Sequence, residues 1–183
     1  MADVVSYDVR DGVAVLTIDR PPVNAVNVDI RRGVIEGLAK ANADDAVKAV
    51  ALTCAGRTFL SGADLNELES GVIAEPNWFK MLDALEQSQK PVVAALFGTA
   101  MGGGVETAMA CHYRIMAASG RVGMPEITLG ILPGAQGTQR LPRLIGAKPA
   151  LALMMKGAPV SAQEAKDLGL VDEVVEGVRH ALS

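Results

Sequence analysis

The stretch KPVVAALFGTAMGGGVE (residues 90–106) decides how the chain is interpreted, because it passes from a buried strand through a glycine turn into a helix. Lys90 and Pro91 end the preceding element, and the apolar run at residues 92–97 is typical of a buried strand. Three consecutive glycines then predict a turn at a helix N-terminus, since glycine accepts backbone conformations that other residues avoid. A strand, a turn and a helix in this order indicate an α/β protein.

Segments of similar length lie on both sides of this stretch. Residues 4–10 and 13–19 alternate apolar and polar side chains around Asp11 and Gly12, which predicts a β-hairpin. Strands that alternate with helices along the rest of the chain predict an α/β architecture with a largely parallel sheet. We expect the other strands at 47–53, 113–117 and 171–175, helices at 27–43, 79–88, 105–111, 138–145, 149–156 and 161–168, and loops at 56–64 and 123–137.

Length and composition fit one soluble globular domain. The chain has 183 residues, of which 50% are hydrophobic and 21% are charged, so it can bury a sizeable core. The formal net charge of -4, from 17 Lys and Arg against 21 Asp and Glu, provides no basic surface for the phosphates of DNA or RNA. We therefore expect no nucleic-acid partner.

Three features bear on the cellular setting. Cys54 and Cys111 lie far apart and lack a second Cys or a His at metal-ligand spacing, so we expect buried thiols in the reducing cytoplasm and no bound metal. The N-terminus lacks the basic start of a signal peptide. The longest uncharged stretch, residues 91–105, is shorter than the ~20 residues that a membrane-spanning helix needs, so we predict no membrane span.

Several common catalytic motifs are absent from the sequence. No GxGxxG follows a strand in the required register, and neither GxxxxGK[ST] nor GxSxG occurs. His112 and His180 are the only histidines, and neither lies near a Ser and acid pattern that fits a hydrolytic triad. We therefore expect no dinucleotide binding, P-loop chemistry or serine hydrolysis.

Two glutamates remain as candidates for acid/base chemistry. Glu106 follows Gly103 by three residues and is expected in the first turn of the helix, where backbone N–H groups are unpaired. Glu126 follows Pro125 among apolar neighbours. Apolar surroundings shift the protonation of a carboxyl group, as acid/base catalysis near neutral pH requires. The alternatives are a helix-dipole role for Glu106 and a surface position in a turn for Glu126.

The segment RTFLSGAD (residues 57–64) supplies a second kind of group. Its Gly-Ala turn exposes backbone N–H groups, and its small side chains let a ligand approach the main chain. The N–H groups of Ala63 and Gly103 are predicted to converge on one carbonyl oxygen as an oxyanion hole. As the alternative, the turn only links a strand to a helix.

Together these segments resemble the crotonase superfamily, the enoyl-CoA hydratases and isomerases. CHYRI and RVGMPEITLGILPG are most similar to the amino-terminal hydratase half of multifunctional fatty-acid oxidation enzymes. The resemblance covers essentially the whole chain and implies an α/β crotonase-like fold of repeated ββα units around a largely parallel core sheet. Its motifs, in family order, are PPVNAVN (21–27), FLSGAD (59–64), the stretch at 90–106, CHYRI (111–115) and VGMPEITLGILPGAQGTQRLPRLIG (122–146).

The resemblance also assigns the site. It implies that Ala63 and Gly103 are the oxyanion-hole donors of an enoyl-CoA hydratase, with Δ3,Δ2-enoyl-CoA isomerisation as a second activity. It further implies that Glu106 and Glu126 are the two catalytic carboxylates, Glu106 activating the water that adds to C3 and protonated Glu126 giving a proton to C2. CoA belongs to the substrate, so no separate cofactor and no metal are expected. The residues in segments that line the CoA and acyl path are Ala25, Asp64, Leu65, Gly102, Pro133 and Gly134.

The end of the sequence departs from the family pattern. Family domains continue past the position of Val175 with helices that cover the acyl pocket, whereas this sequence stops at Ser183. We expect residues 1–183 to be a single acyl-CoA domain without these C-terminal cover helices, in a homo-oligomer or as part of a larger multifunctional chain. No dehydrogenase fingerprint is present, so NAD is not implied. The alternative function is a weakly active or non-catalytic acyl-CoA-binding subunit, although the presence of both glutamates favours an enzyme.

Overall fold

The computed structural model describes residues 4–69 and 74–177, and His180 lies outside these ranges. The strands in this part of the chain are β1 (Val5–Arg10), β2 (Val13–Ile18), β3 (Ala49–Cys54), β4 (Val92–Leu96), β5 (Thr99–Met101), β6 (Tyr113–Ala117), β7 (Arg121–Gly123), β8 (Val160–Ser161) and β9 (Glu173–Val175). The helices are α1 (Val28–Ala43), α2 (Leu65–Glu69), α3 (Trp78–Glu86), α4 (Gly103–Ala110), α5 (Gly137–Ile145), α6 (Ala147–Lys156) and α7 (Ala162–Asp167), with a 3-10 helix at Glu126–Leu129. None of the helices in the described ranges is long and apolar enough to cross a membrane.

Six strands form the main sheet, in the order β1-β2-β3-β4-β6-β9. The first pair is an antiparallel hairpin with Arg10 opposite Val13, and the other pairs are parallel. Both turn residues have positive φ, 48° at Asp11 and 81° at Gly12, as a two-residue hairpin turn requires. The predicted hairpin and the predicted largely parallel α/β sheet are confirmed.

A second, smaller sheet brings two loops together. Its order is β5-β7-β8, and β5 is parallel to β7 with Met101 opposite Gly123. The amide of Gly102 then donates a hydrogen bond to the Gly123 carbonyl at 2.9 Å. Because β5 leads into α4 and β7 leads into the 3-10 helix, this pairing places the starts of both helices side by side. The sequence does not predict these three short strands, because runs of two or three residues show little apolar pattern.

The core lies between the main sheet and the helices that pack on it. Helix α1 packs against β1, β2 and α3. The apolar face of α3 is buried, as the helical spacing of its side chains predicts. Fully buried large side chains of this core are Leu16, Ile18, Ile30, Leu52, Phe59, Leu60, Met81, Leu82, Leu85 and Leu96.

Side-chain caps fix where helices begin. Oδ1 of Asn27 accepts a hydrogen bond from the Ile30 amide at 3.1 Å, and Oγ of Ser161 accepts one from the Glu164 amide at 3.2 Å. Both caps satisfy an amide that lacks an intrahelical partner. These two predicted helix starts are confirmed.

Some helix boundaries differ from the prediction. Helix α6 begins at Ala147 rather than at residue 149, because Pro149 fits the first turn of a helix, where its missing N–H is not needed. The 3-10 helix lies within the segment 123–137 that is predicted as a loop, and α2 has no predicted counterpart. Each is so short that it leaves no helical period in the sequence.

Candidate active site

The candidate site forms where the segments after β3 and β4 run side by side. The Phe59 amide donates to the Phe97 carbonyl at 3.1 Å, and the Met101 amide donates to the Leu60 carbonyl at the same distance. This pairing brings the Gly62-Ala63 turn against the start of α4. A Cβ atom placed on Gly103 would lie 3.5 Å from the Gly62 Cα atom. The structure therefore brings together the two segments that the sequence predicts to supply the oxyanion hole.

The backbone of Ala63 is held by a short parallel bridge to Val26. The Val26 amide donates to the Gly62 carbonyl at 2.8 Å, and the Asp64 amide donates to the Val26 carbonyl at 3.0 Å. In a parallel pair the residue between two such bonds turns its own N–H to the opposite side. The Ala63 N–H accordingly has no acceptor among the residues that the structure describes.

Gly103 is the first residue of α4, so its N–H belongs to the helix amides that lack an intrahelical acceptor. Gly102, the residue before it, has φ 50° and ψ -119°, a conformation that suits glycine. A Cβ atom on Gly102 would also lie 2.7 Å from Oε1 of Glu126. The glycine at 102 thus lets the Glu126 carboxyl approach the start of the helix.

Glu106 is buried, with 2% of its surface exposed. Its Oε1 accepts hydrogen bonds from the amides of Ala135 at 2.9 Å and Gly137 at 2.6 Å. The pKa of Glu106 is raised to about 7. Desolvation by burial is the main cause, and the nearby charge of Glu126 adds to the rise. The hydrogen bonds from the Gly137 and Ala135 amides oppose it. Oε2 of Glu106 meets no donor in the described part of the chain. The carboxyl group is therefore fixed through one oxygen and able to change protonation near neutral pH.

Glu126 is the first residue of the 3-10 helix and is also buried. Its Oε2 is enclosed and has no hydrogen-bond partner among the described residues. Burial raises the pKa of Glu126, and only its own backbone amide opposes the rise. An enclosed carboxyl oxygen without a donor is better suited to the protonated form, which carries a proton to donate.

The other predicted binding residues divide into two groups. Gly102 and the buried Pro133 lie beside the glutamates: a Cβ atom on Gly137 would lie 2.8 Å from Cβ of Pro133 and 2.7 Å from Oε1 of Glu106. Gly134 is exposed and directly precedes Ala135.

The second group, Ala25, Asp64 and Leu65, lies beside the Ala63 amide. The Ala25 carbonyl accepts a hydrogen bond from Nη1 of Arg20 at 2.9 Å, and the Asp64 carboxylate forms an ion pair with the same guanidinium. Burial opposes ionisation of Asp64, but hydrogen bonds from the Asn66 amide and from Arg20 outweigh it and lower the pKa. Leu65 begins α2 and is 61% exposed. A ligand contact for these three residues stays a prediction.

Sequence reasoning missed the residues that support the site. Asn24 is buried, has φ 54°, and its Nδ2 donates to the carbonyls of Ala55 and Thr58, both at 3.0 Å. Its Oδ1 accepts from the Arg20 amide at 2.8 Å. The only signal for this role is that asparagine tolerates left-handed backbone conformations. The amides that hold Glu106 carry no signal in the sequence.

Two other features lie apart from these residues. A cavity of about 440 Å³ lies between α1 and β1, and its lining, which includes Tyr7, Asp29 and Lys40, contains none of the predicted site residues. Cys54 and Cys111 are buried free thiols whose pKa values are raised by desolvation. No group of three or more potential metal-ligating side chains occurs within residues 4–69 and 74–177.

Comparison with known proteins connects this geometry to a family. The model of the family described as "Enoyl-CoA hydratase/isomerase" matches residues 8–180. The chain is 48% identical over 168 residues to a peroxisomal bifunctional enzyme of Danio rerio, covering 92% of this chain but 23% of that protein. It is 42% identical over 176 residues to a probable enoyl-CoA hydratase of Bacillus subtilis, covering 92% of this chain and 68% of the relative.

Solved structures agree with the fold. The crystal structure of enoyl-CoA hydratase from Thermoplasma volcanium superposes with a TM-score of 0.90 at 34% identity, covering 99% of this chain and 75% of that one. The enoyl-CoA hydratase from Bacillus anthracis gives a TM-score of 0.89 at 37% identity, covering 98% and 73% of the two chains. The chain therefore spans about a quarter of the bifunctional relatives and about three quarters of these solved chains.

Proposed function

The chain belongs to the enoyl-CoA hydratase/isomerase family and has its crotonase-like fold, and we propose that it adds water across the 2,3 double bond of 2-enoyl-CoA thioesters in fatty-acid β-oxidation. One observation carries the proposal: two buried carboxyl groups, Glu106 and Glu126, lie close to the amides of Ala63 and Gly103, which have no acceptor among the described residues. The amides suit the oxygen of a thioester carbonyl that becomes an enolate. The carboxyl groups suit the proton transfers.

In the proposed reaction the two glutamates have opposite roles. The Glu106 carboxylate takes a proton from water as the water oxygen forms a bond to C3. The electron pair of the double bond moves toward the thioester oxygen, where the N–H groups of Ala63 and Gly103 stabilise the negative charge. Protonated Glu126 then gives its proton to C2 as the carbonyl re-forms. Proton exchange with solvent returns both groups to their starting forms.

The hydrogen bonds support this assignment of the proton. Two amides donate to Glu106, which favours its carboxylate form, whereas Oε2 of Glu126 meets no donor in the described ranges. Burial nevertheless raises the pKa of both groups, and the charge of one raises the pKa of the other. The pair therefore titrates as a unit, and the form with one proton, on Glu126, is the active one.

A spectroscopic assay tests the proposal. Crotonyl-CoA absorbs through its conjugated double bond, so hydration by the purified protein lowers this absorbance, and the product gains the mass of one water. The alternative, a weakly active or non-catalytic acyl-CoA-binding subunit, predicts binding of the thioester without loss of absorbance. That result would overturn the hydratase proposal.

The same two carboxyl groups support isomerisation as a second activity. In a 3-enoyl-CoA, one carboxylate removes a proton from C2 and a carboxylic acid returns one to C4, while the same two amides hold the enolate. The family description includes isomerases. An increase in absorbance on adding the protein to a 3-enoyl-CoA, as the conjugated isomer forms, is the expected result.

We also propose a setting for the domain. Residues 1–183 form one acyl-CoA domain. This domain associates with further copies of itself or acts within a longer chain, and several longer relatives are named bifunctional enzymes. Exposed apolar side chains on and near α6 support association: Leu129, Leu132, Leu151 and Met155. Light scattering at several concentrations tests self-association, and a monomer at all of them would contradict it.

The two buried free thiols support a cytoplasmic location for this protein. A peroxisomal location is named only for the relatives.

A further inference from the structure

The side chain of Trp78, the single tryptophan of the chain, lies against the predicted oxyanion donor Gly103. A Cβ atom placed on Gly103 would come within 2.5 Å of both Cζ2 and Cη2 of the indole. Since the N and Cβ atoms of one residue are about 2.5 Å apart, the edge of the ring lies within roughly 5 Å of the Gly103 nitrogen. A thioester oxygen bound at that nitrogen would place the first acyl carbons in contact range of the ring.

The backbone around Trp78 is anchored on both sides. Trp78 begins α3, and the side chain of Asn77 caps this helix by accepting a hydrogen bond from the Lys80 amide. Just before it, the buried Arg31 donates to the carbonyl of Pro76 at 2.7 Å and to that of Ala74 at 3.1 Å. These contacts fix the main chain from which the indole projects.

The indole N–H points to a role other than stability. Nε1 of Trp78 is buried and has no acceptor among the described residues. A buried indole N–H normally finds a partner, and leaving a donor unpaired costs folding free energy. A phenylalanine or leucine at this position would fill apolar space without that cost. Tryptophan at this position therefore points to a role in which the size and shape of the ring beside Gly103 are used.

We infer that Trp78 is the wall of the acyl pocket beside the oxyanion hole and that it sets the acyl-chain length. A ring held this close to Gly103 accepts the first acyl carbons and blocks the continuation of a long chain. The structure thus predicts a preference for short 2-enoyl-CoA substrates. This inference rests on the proposed hydratase function and adds the substrate class to it.

Chain-length profiles test the inference. We expect Trp78→Ala to raise kcat/KM for 2-decenoyl-CoA relative to crotonyl-CoA by about tenfold or more, since removing a pocket wall admits additional methylene groups. Trp78→Phe should give a smaller increase. The control is Phe79→Ala on the same helix, because Phe79 is 48% exposed and should leave the ratio unchanged. An unchanged ratio in a folded Trp78→Ala or Trp78→Phe protein would overturn the inference.

A binding measurement separates this inference from the proposed function. Because Trp78 is the only tryptophan, the intrinsic fluorescence of the unmodified protein reports directly on its surroundings. Saturation with butyryl-CoA, which has no double bond to hydrate, should change the emission, and unchanged emission would contradict contact with the acyl group. Failure to hydrate crotonyl-CoA together with changed emission would refute the hydratase proposal and leave the pocket wall supported.

Discussion

The candidate site has two halves that are built in opposite ways. In the carboxylate half, the side chains of Glu106 and Glu126 act, and the backbone amides of Ala135 and of Gly137, the first residue of α5, hold Glu106. In the amide half, the backbones of Ala63 and Gly103 act, and the Ala63 turn is held by the backbone bridge to Val26 and by side chains outside the reaction. This difference determines how each half can be disrupted. A side-chain function is lost by an isosteric substitution, whereas a backbone function is lost only by removing the N–H or its supports.

The two halves also differ in exposure. Glu106 and Glu126 are 2% and 7% exposed, so their charges are largely removed from water. In the ion pair that supports Ala63, the Asp64 side chain is only 9% exposed, but its partner Arg20 is 30% exposed, so the guanidinium can regain water if the pair is lost. Loss of a contact in the amide half is therefore partly compensated by solvent, and loss of a group in the carboxylate half is not. The expected effects of substitution decrease in that order.

The largest effect is expected from removing one proton-transfer group. Glu126→Gln should leave folding and thioester binding nearly intact but lower the hydration rate ~10²–10⁴-fold, the usual value of a positioned acid or base. Glu106→Gln should do the same. The measurement is loss of crotonyl-CoA absorbance, with the exposed Glu36→Gln on α1 as the control. Near-full rate in either site variant would show that its catalytic assignment is wrong.

The second-largest loss of activity is expected from removing the backbone N–H of Gly103. Gly103→Pro deletes the N–H donor and should cost about 2.7–4 kcal/mol of transition-state stabilisation. The first position of a helix accepts proline, but any Cβ at 103 meets the Trp78 ring at 2.5 Å. The matched control is therefore Gly103→Ala, which introduces the same Cβ and keeps the N–H. Equal rates for the two folded variants would exclude the Gly103 amide from the oxyanion hole.

The contrast between the halves also explains what could be predicted from the sequence. A ligand can approach the backbone closely only where side chains are small, and the sequence shows such positions as glycine and alanine in RTFLSGAD and as the glycines at 102–104. The apolar neighbours of Glu106 and Glu126 likewise indicate buried carboxyl groups. The amides of Ala135 and Gly137 leave no pattern, because every residue except proline has an N–H. The supporting role of Asn24 could not be predicted for a related reason, since its partners are backbone carbonyl groups far away in the sequence.

The Glu106→Gln variant should also separate stability from catalysis in the carboxylate half. The pKa of Glu106 rises from 4.5 in the unfolded chain to about 7 in the folded one, so the folded protein binds the proton more tightly. The contribution of Glu106 to stability is therefore greatest below pH 4.5 and is lost as pH rises through 7, by about 3 kcal/mol. Glu106→Gln, which cannot ionise and can still accept both amides, should be more stable than the parent at pH 8.

Urea unfolding at pH 5 and pH 8 measures this effect. The difference in unfolding free energy between parent and Glu106→Gln should favour the variant more strongly at pH 8, where the parent must hold a buried charge. A variant that is less stable than the parent at pH 8 would show that the buried charge of Glu106 does not destabilise the folded protein.

The smallest effect is expected from weakening the support of Ala63. Asp64→Asn keeps the shape of the side chain but removes its charge from the ion pair with Arg20. The Ala63 turn should become less fixed, and kcat/KM for crotonyl-CoA should fall by at most about tenfold, in keeping with the modest strength of partly exposed ion pairs. Asp8→Asn is the matched control, because the Asp8–Arg10 pair is also an Asp–Arg pair but is more than half exposed at both ends and lies on β1.

The pH profile then decides whether Asp64 acts through the amide half alone. Because the active form of the Glu106–Glu126 pair carries one proton, the parent rate should rise through an inflection at acid pH, where the first carboxyl group ionises, and should fall again once both are ionised. A substitution that loosens only the Ala63 amide lowers the rate at every pH and leaves this inflection in place. If Asp64→Asn instead moves the inflection, the two halves share a common electrostatic support, and the separation between them fails. If Asp8→Asn lowers the rate equally, the loss reflects general destabilisation and Asp64 has no positioning role.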